Sequence, residues 1–168
     1  MMDSRGRIMS QPIAGGMDPV CSAHGVPAIS TKSVIALHVE DDENLSASLG
    51  IFLRSYGHRV VTAKDGESAL ECVTTGQVVP DVLIVDYMLP GDMDGAEVAQ
   101  SICDVLRRPI PMIMLSAALS SASLPWLPGA PLLCLWKPAE PEILLKAVES
   151  FADLSRFTQS RRRHRPFG

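Results

Sequence analysis

Five polar residues in this chain share one setting, directly at the end of a short apolar run. Glu40 and Asp41 follow Val34 to Val39, and Asp86 follows Val82-Leu83-Ile84-Val85. Ser116 follows Met112 to Leu115, and Lys137 follows Leu132 to Trp136. Unbroken aliphatic runs bounded by turn residues read as strands buried on both faces, the pattern of a parallel sheet. Open α/β sheets bind their ligands at the carboxyl ends of such strands. Taken alone, Asp86 could equally do no more than end a strand and cap the turn marked by Pro90, Gly91 and Gly95. Four strands that each deliver a polar group at the same end argue for a site.

The residue types narrow the chemistry. Carboxylates about 4 Å apart repel by roughly 4 kcal/mol per pair at an effective dielectric near 20. A cluster of Glu40, Asp41 and Asp86 therefore needs a cation or a shared proton. All-oxygen ligands with open positions suit Mg²⁺, which keeps several waters and takes one or two carboxylates from the protein. Lys137 adds a fixed positive charge on the far side and Ser116 a hydroxyl donor. Together with the amides at Met88 and Ala117, they form a cradle for a phosphoryl group on Asp86. Asp86 is then the nucleophile and ends as an aspartyl phosphate.

The elements that must position these groups alternate along the chain. Residues 1–32 are rich in Gly, Pro, Ser and Met without periodicity and read as a disordered leader. After the first strand, Leu45, Leu49, Phe52, Leu53 and Tyr56 recur at helical spacing until Gly57. A short strand (59–63) and a short helix (67–74) precede the run that ends in Asp86. Val98, Ile102, Val105 and Leu106 mark the next helix, which Pro109 ends. The segment from 117 to 130 is dominated by Ser, Pro and Gly, and offers at most a turn or two of helix around Ser120 to Leu124. Pro141 suits a helix first turn, and Ile143, Leu144, Ala147, Val148, Phe151 and Leu154 give that helix its core face. This order predicts an α/β fold: a doubly wound, five-stranded parallel sheet in flavodoxin-like order 2-1-3-4-5, with helices on both faces. The expected domain spans 33–157, and 158–168 is a basic flexible tail.

Composition excludes several classes. The chain has 168 residues, 46% of them apolar, which is enough for one globular domain. The net charge is −4, and Arg161, Arg162, Arg163 and Arg165 carry four of the positive charges, so the rest stands at −8. An acidic body argues against nucleic acid as the main partner. Cys21, Cys72, Cys103 and Cys134 are too dispersed for a zinc site or a disulfide framework, and fit reduced buried thiols. His38, inside the first run, reads as a packed strand residue. No apolar run approaches the roughly 18 residues of a membrane span, and no signal peptide is visible. The expected location is the cytoplasm, without a membrane partner.

Val39-Glu-Asp-Asp-Glu, Asp86-Tyr-Met-Leu-Pro with Met93-Asp-Gly, Ser116-Ala and Lys137-Pro, in this order, resemble the receiver domain of two-component response regulators. The spacings match too, with 30 residues from Asp86 to Ser116 and 21 from Ser116 to Lys137. The resemblance implies that Asp86 accepts a phosphoryl group from a sensor histidine kinase or histidine phosphotransfer protein and passes the signal to a downstream protein target. It implies that Asp41 and Asp86 bind Mg²⁺ directly with the backbone carbonyl of Met88, that Glu40 acts through water, and that Ser116 and Lys137 contact the phosphate. It also implies a cis Lys137-Pro138 bond. If the register slips by one, Asp42 replaces Glu40 or Asp41. The domain is expected to be a phosphoacceptor rather than an enzyme, at most a slow autophosphatase.

Departures from the family pattern are visible. Cys134 stands where an aromatic residue is common, and the weak 120–131 segment resembles a receiver subgroup with a degenerate fourth helix. Trp126 and Trp136 lie near that face, and at least one is expected in the core. Met88 and Ala118 are apolar where polar residues would orient a hydrolytic water, which implies a long-lived phosphate. The short remainder after Phe157 suggests a stand-alone receiver. One competing reading is a phosphorylation-independent interaction module. Another is an aspartate-nucleophile phosphohydrolase, disfavoured because no second Asp follows Asp86 closely enough to serve as acid.

Overall fold

The computed structural model describes residues 33–117 and 129–163. Five strands, β1 (Ile35–Val39), β2 (Arg59–Ala63), β3 (Val82–Asp86), β4 (Met112–Ser116) and β5 (Leu132–Trp136), alternate with helices. The helices are α1 (Glu43–Ser55), α2 (Gly66–Thr74), α3 (Gly95–Leu106) and α4 (Pro141–Arg163). All strand pairs are parallel and the spatial order is β2-β1-β3-β4-β5, as expected from the alternation. β3 is central, and all five of its residues are buried. That is why its sequence shows no polar alternation: a strand covered on both faces has no solvent side to mark.

Each face of the sheet has its own core. Leu37, Val39, Leu83 and Val85 meet Ala69 and Val73 of α2 and Val98, Ala99 and Ile102 of α3. On the opposite face Ala36, Val82, Ile84 and Ile113 meet Leu53 of α1 and Leu144, Leu145 and Val148 of α4. Each fully buried Leu or Ile contributes about 1.5–3 kcal/mol.

Aspartates start three helices. Asp42 accepts from the amides of Asn44 and Leu45, and Asp65 from that of Ser68. Asp94 accepts from Ala96 and Glu97, with a reciprocal Glu97 bond to its own amide. These three helices therefore begin at the carboxyl edge of the sheet with part of their orphan N–H groups satisfied.

Several expectations need correction. Val105, Ile143 and Leu154 are exposed rather than core-facing. Ala99 and Cys103 fill the α3 face, and Leu145 and Ala152 the α4 face, because small side chains let the helices approach the sheet. Leu45 is also exposed. Helix α4 continues to Arg163, across the expected boundary at 157, since no Gly or Pro interrupts the chain before Pro166. The leader at 1–32, the candidate helix at 120–124, Ala118 and Trp126 lie outside the described residues. Trp136 is exposed. Among the described residues no helix is long and apolar enough to cross a membrane.

Candidate functional site

Strand register brings the predicted residues to one edge. β1 pairs with β3 from Ala36↔Val82 to Val39↔Val85, so both strands reach their carboxyl ends together at Glu40 and Asp86. Asp86 pairs with Leu115, which puts Ser116 one residue further along β4, and Ser116 pairs with Trp136 just before Lys137. The Lys137 amide donates to the Ser116 carbonyl at 2.9 Å, and the Glu40 amide to the Ala63 carbonyl at 3.0 Å. Lys137-Pro138 is cis.

Glu40, Asp41 and Asp86 each offer one oxygen within 4.8 Å of the others. Glu40 and Asp86 are buried, whereas Asp41 is exposed. The Lys137 ammonium donates to Glu40 Oε1 at 3.0 Å and Oε2 at 2.7 Å, and also to Asp86 Oδ2. The second Asp86 oxygen accepts from the Met88 amide at 3.0 Å. The lysine is thus not beyond the carboxylates, as the sequence suggested, but between two of them.

Burial pushes the Glu40 carboxyl above its usual value, and the hydrogen bonds from Lys137 offset this only in part. Burial alone would lower the Lys137 ammonium, but the bonds to Asp86 and Glu40 outweigh it and hold the group above its ordinary value. The two shifts differ because the Glu40 side chain is 1% exposed and that of Lys137 21%. Desolvation wins at the acid and pairing wins at the base.

Asp42 does not join this cluster. Its side chain caps α1, while the oxygens that lie together are those of Glu40, Asp41 and Asp86. Asp94 is likewise a cap. Ser116 is fully buried, and Met88 points its side chain largely into solvent. Two residues escaped sequence reasoning. His38 is packed in β1 as expected, but among the described residues neither ring nitrogen has a hydrogen-bond partner. Gly95 lies against the main chain of Asp86. The His38 imidazole is lowered to about 4 by burial, with Lys137 lowering and Asp86 raising it. An apolar strand broken by one histidine was the only sequence signal for the first, and a glycine opening a helix for the second.

The donor set suits a hard divalent cation: carboxylate oxygens only, two of them buried, with an exposed third side through which water can enter.

Strand order and helix placement define a doubly wound, flavodoxin-like α/β domain. Within that class, residues 36–149 match the response regulator receiver domain, and the chain belongs to that family. It is 40% identical over 83 residues to the transcriptional regulatory protein AfsQ1 of Streptomyces coelicolor, covering 48% of this chain and 34% of that protein. It is 39% identical over 84 residues to the alkaline phosphatase synthesis transcriptional regulatory protein PhoP of Bacillus subtilis, covering 48% and 32%. The matched part is thus about a third of the length of these relatives. Among solved structures, a putative response regulator from Chloroflexus aurantiacus superposes with a TM-score of 0.62 at 31% identity, covering 73% of this chain and 99% of that one. The N-terminal domain of a response regulator/sensory box/GGDEF protein from Carboxydothermus hydrogenoformans superposes at 0.64 and 27% identity, covering 74% and 98%.

Proposed function

We propose that this receiver domain takes a phosphoryl group onto Asp86 from a phosphohistidine on a sensor histidine kinase or histidine phosphotransfer protein, in the cytoplasm. An Asp86 oxygen attacks phosphorus in line with the P–N bond. The P–O bond forms as the P–N bond breaks, and the departing imidazole takes up a proton. Asp41, Asp86 and the Met88 carbonyl would hold Mg²⁺, with Glu40 acting through water. When bound, the ion supplies positive charge to the phosphoryl oxygens. The Lys137 ammonium donates to one phosphoryl oxygen and Ser116 to another. The protein acts as a phosphoacceptor and not as a turnover enzyme.

The observation that carries this reading is the lysine shared across three strands. Lys137 is 97 residues from Glu40 and 51 from Asp86, yet bonds both. A purely structural ion pair has no need of a third carboxylate within 4.8 Å. The relatives named as transcriptional regulators support a signalling role, and their names remove any weight from the acidic charge balance as an argument against a nucleic-acid output.

The test is Asp86→Asn. Incubation with acetyl phosphate or a cognate kinase in Mg²⁺ should label the native chain and not the variant. Equal labelling of both would sink the proposal. Partner binding unchanged by the substitution would instead favour the phosphorylation-independent module.

A further inference from the structure

We infer that Gly95 is a positioning residue, whose missing side chain lets the α3 N-terminus seat directly on the main chain of Asp86 and so fixes where the acceptor carboxylate points. The inference rests on the reading of Asp86 as phosphoacceptor. A Cβ built on Gly95 would lie 2.1 Å from the Asp86 carbonyl oxygen and 3.0 Å from its carbon. Both obstacles are backbone, and neither can rotate aside. On the other side, the Tyr87 amide bonds the Leu115 carbonyl at 2.8 Å, so the β4 ladder holds the same peptide. The Gly95 amide itself donates to the Tyr87 carbonyl at 3.0 Å. Asp86 is therefore clamped between β4 and the first residue of α3.

Conformational freedom does not explain this glycine. Gly57, Gly76, Gly91 and Gly129 adopt positive φ, but Gly95 does not. Alanine fits its backbone angles and favours a helix more than glycine does. Space alone excludes it. A side chain at 95 must push α3 away or tilt the Asp86–Tyr87 peptide, and the carboxylate then shifts relative to Glu40, Asp41 and Lys137.

The fold contains its own control. Gly66 also follows an aspartate cap and opens a helix, α2. A Cβ there would meet Val98 Cγ2 at 2.6 Å and Met93 Cε at 2.9 Å. These are side-chain atoms rather than main chain: the methionine can move, whereas Val98 is β-branched and fully buried, so the substitution is expected to cost stability. Gly66→Ala should crowd the α2–α3 seam without moving Asp86.

The experiment compares G95A with G66A by thermal melting, by Mg²⁺ titration followed through tryptophan fluorescence, and by labelling with acetyl phosphate at saturating Mg²⁺. For folded G95A the expected result is a Mg²⁺ dissociation constant raised about tenfold and labelling slowed about 100-fold, the scale of a 1 Å misplacement. G66A should stay within about twofold of the native chain in both. A folded G95A that binds Mg²⁺ and labels like the native chain overturns the inference. So does a G66A of equal melting temperature that labels as slowly as G95A. If G95A melts below the assay temperature, trimethylamine N-oxide restores the compact state, and the same comparison is made there. A native chain that binds Mg²⁺ but never labels overturns the phosphoacceptor reading instead, and the Mg²⁺ affinities of the two variants then decide this one.

Discussion

The two edges of the sheet hold their charges in opposite ways. At the amino edge, charged side chains bond main chain. Asp81 Oδ2 accepts from the Ile35 amide at 3.0 Å, and Arg108 donates to the Pro80 carbonyl. These bonds tie β1 to β3 and the end of α3 to the start of β3. At the carboxyl edge, Lys137, Glu40 and Asp86 chiefly bond one another. A backbone partner is fixed by the fold, whereas a side-chain partner can be exchanged for an incoming ligand. The first edge therefore stabilises, and the second is free to do chemistry.

The carboxyl edge itself divides again. Its acidic residues fall into two groups. Asp42, Asp65 and Asp94 cap helices, while Glu40, Asp41 and Asp86 converge. Substitutions should separate these groups by what they damage.

After the loss of label in Asp86→Asn, the largest effect is expected from Lys137→Ala. Labelling by acetyl phosphate at saturating Mg²⁺ should fall about 10²–10³-fold, the usual cost of losing one donor to a transferring group. Glu40, already pushed up by burial, then loses its ammonium partner, so the variant should gain stability as pH is lowered. Labelling at the native rate would erase the contrast between the edges.

His38 lies just inside the carboxyl edge, paired with Thr62 and Ile84. Its folded value of about 4 lies below the ordinary imidazole value of about 6.5. Between those values the unfolded chain binds the proton and the folded chain does not. The stability is therefore present above pH 6.5 and lost as pH falls toward 4, by roughly 3 kcal/mol. Denaturant melts of His38→Leu should lack this acid-side loss. A native-like pH profile in the variant would move the effect elsewhere.

At the amino edge, Asp81→Ala leaves the Ile35 amide unpaired and should cost about 1–3 kcal/mol in urea unfolding. Labelling should not change. A labelling defect at full folding would show that the edges are coupled. The smallest change in stability distinguishes neighbours. Asp42→Ala should cost about 1 kcal/mol through the lost cap and leave Mg²⁺ affinity intact, whereas Asp41→Ala should abolish Mg²⁺ binding with little change in the melt. Titration calorimetry on both decides whether the cap and the cluster are separate.

Much of this was legible in the chain. Four apolar runs, each ending at a turn or a charge, marked four of the strands, because a strand buried on both faces must be apolar throughout, and the alternation with helices gave the parallel order. The spacing of Asp86, Ser116 and Lys137 singled out the strand ends that meet at one edge. Helix faces were less legible. Val105, Ile143 and Leu154 fit a helical period, yet face solvent. A period fixes which residues share a stripe, while the rotation of that stripe toward the sheet depends on small neighbours such as Ala99 and Ala152.

Residue type and order along the chain were enough to set the strands, their sequence in the sheet and the polar groups at their tips. Folding alone decided how adjacent acids divide between capping and clustering, how one lysine is shared by two carboxylates, and how closely Gly95 approaches Asp86. Those outcomes depend on distances of an ångström or two between segments far apart in sequence, and only the packed register of strands and helices sets such distances.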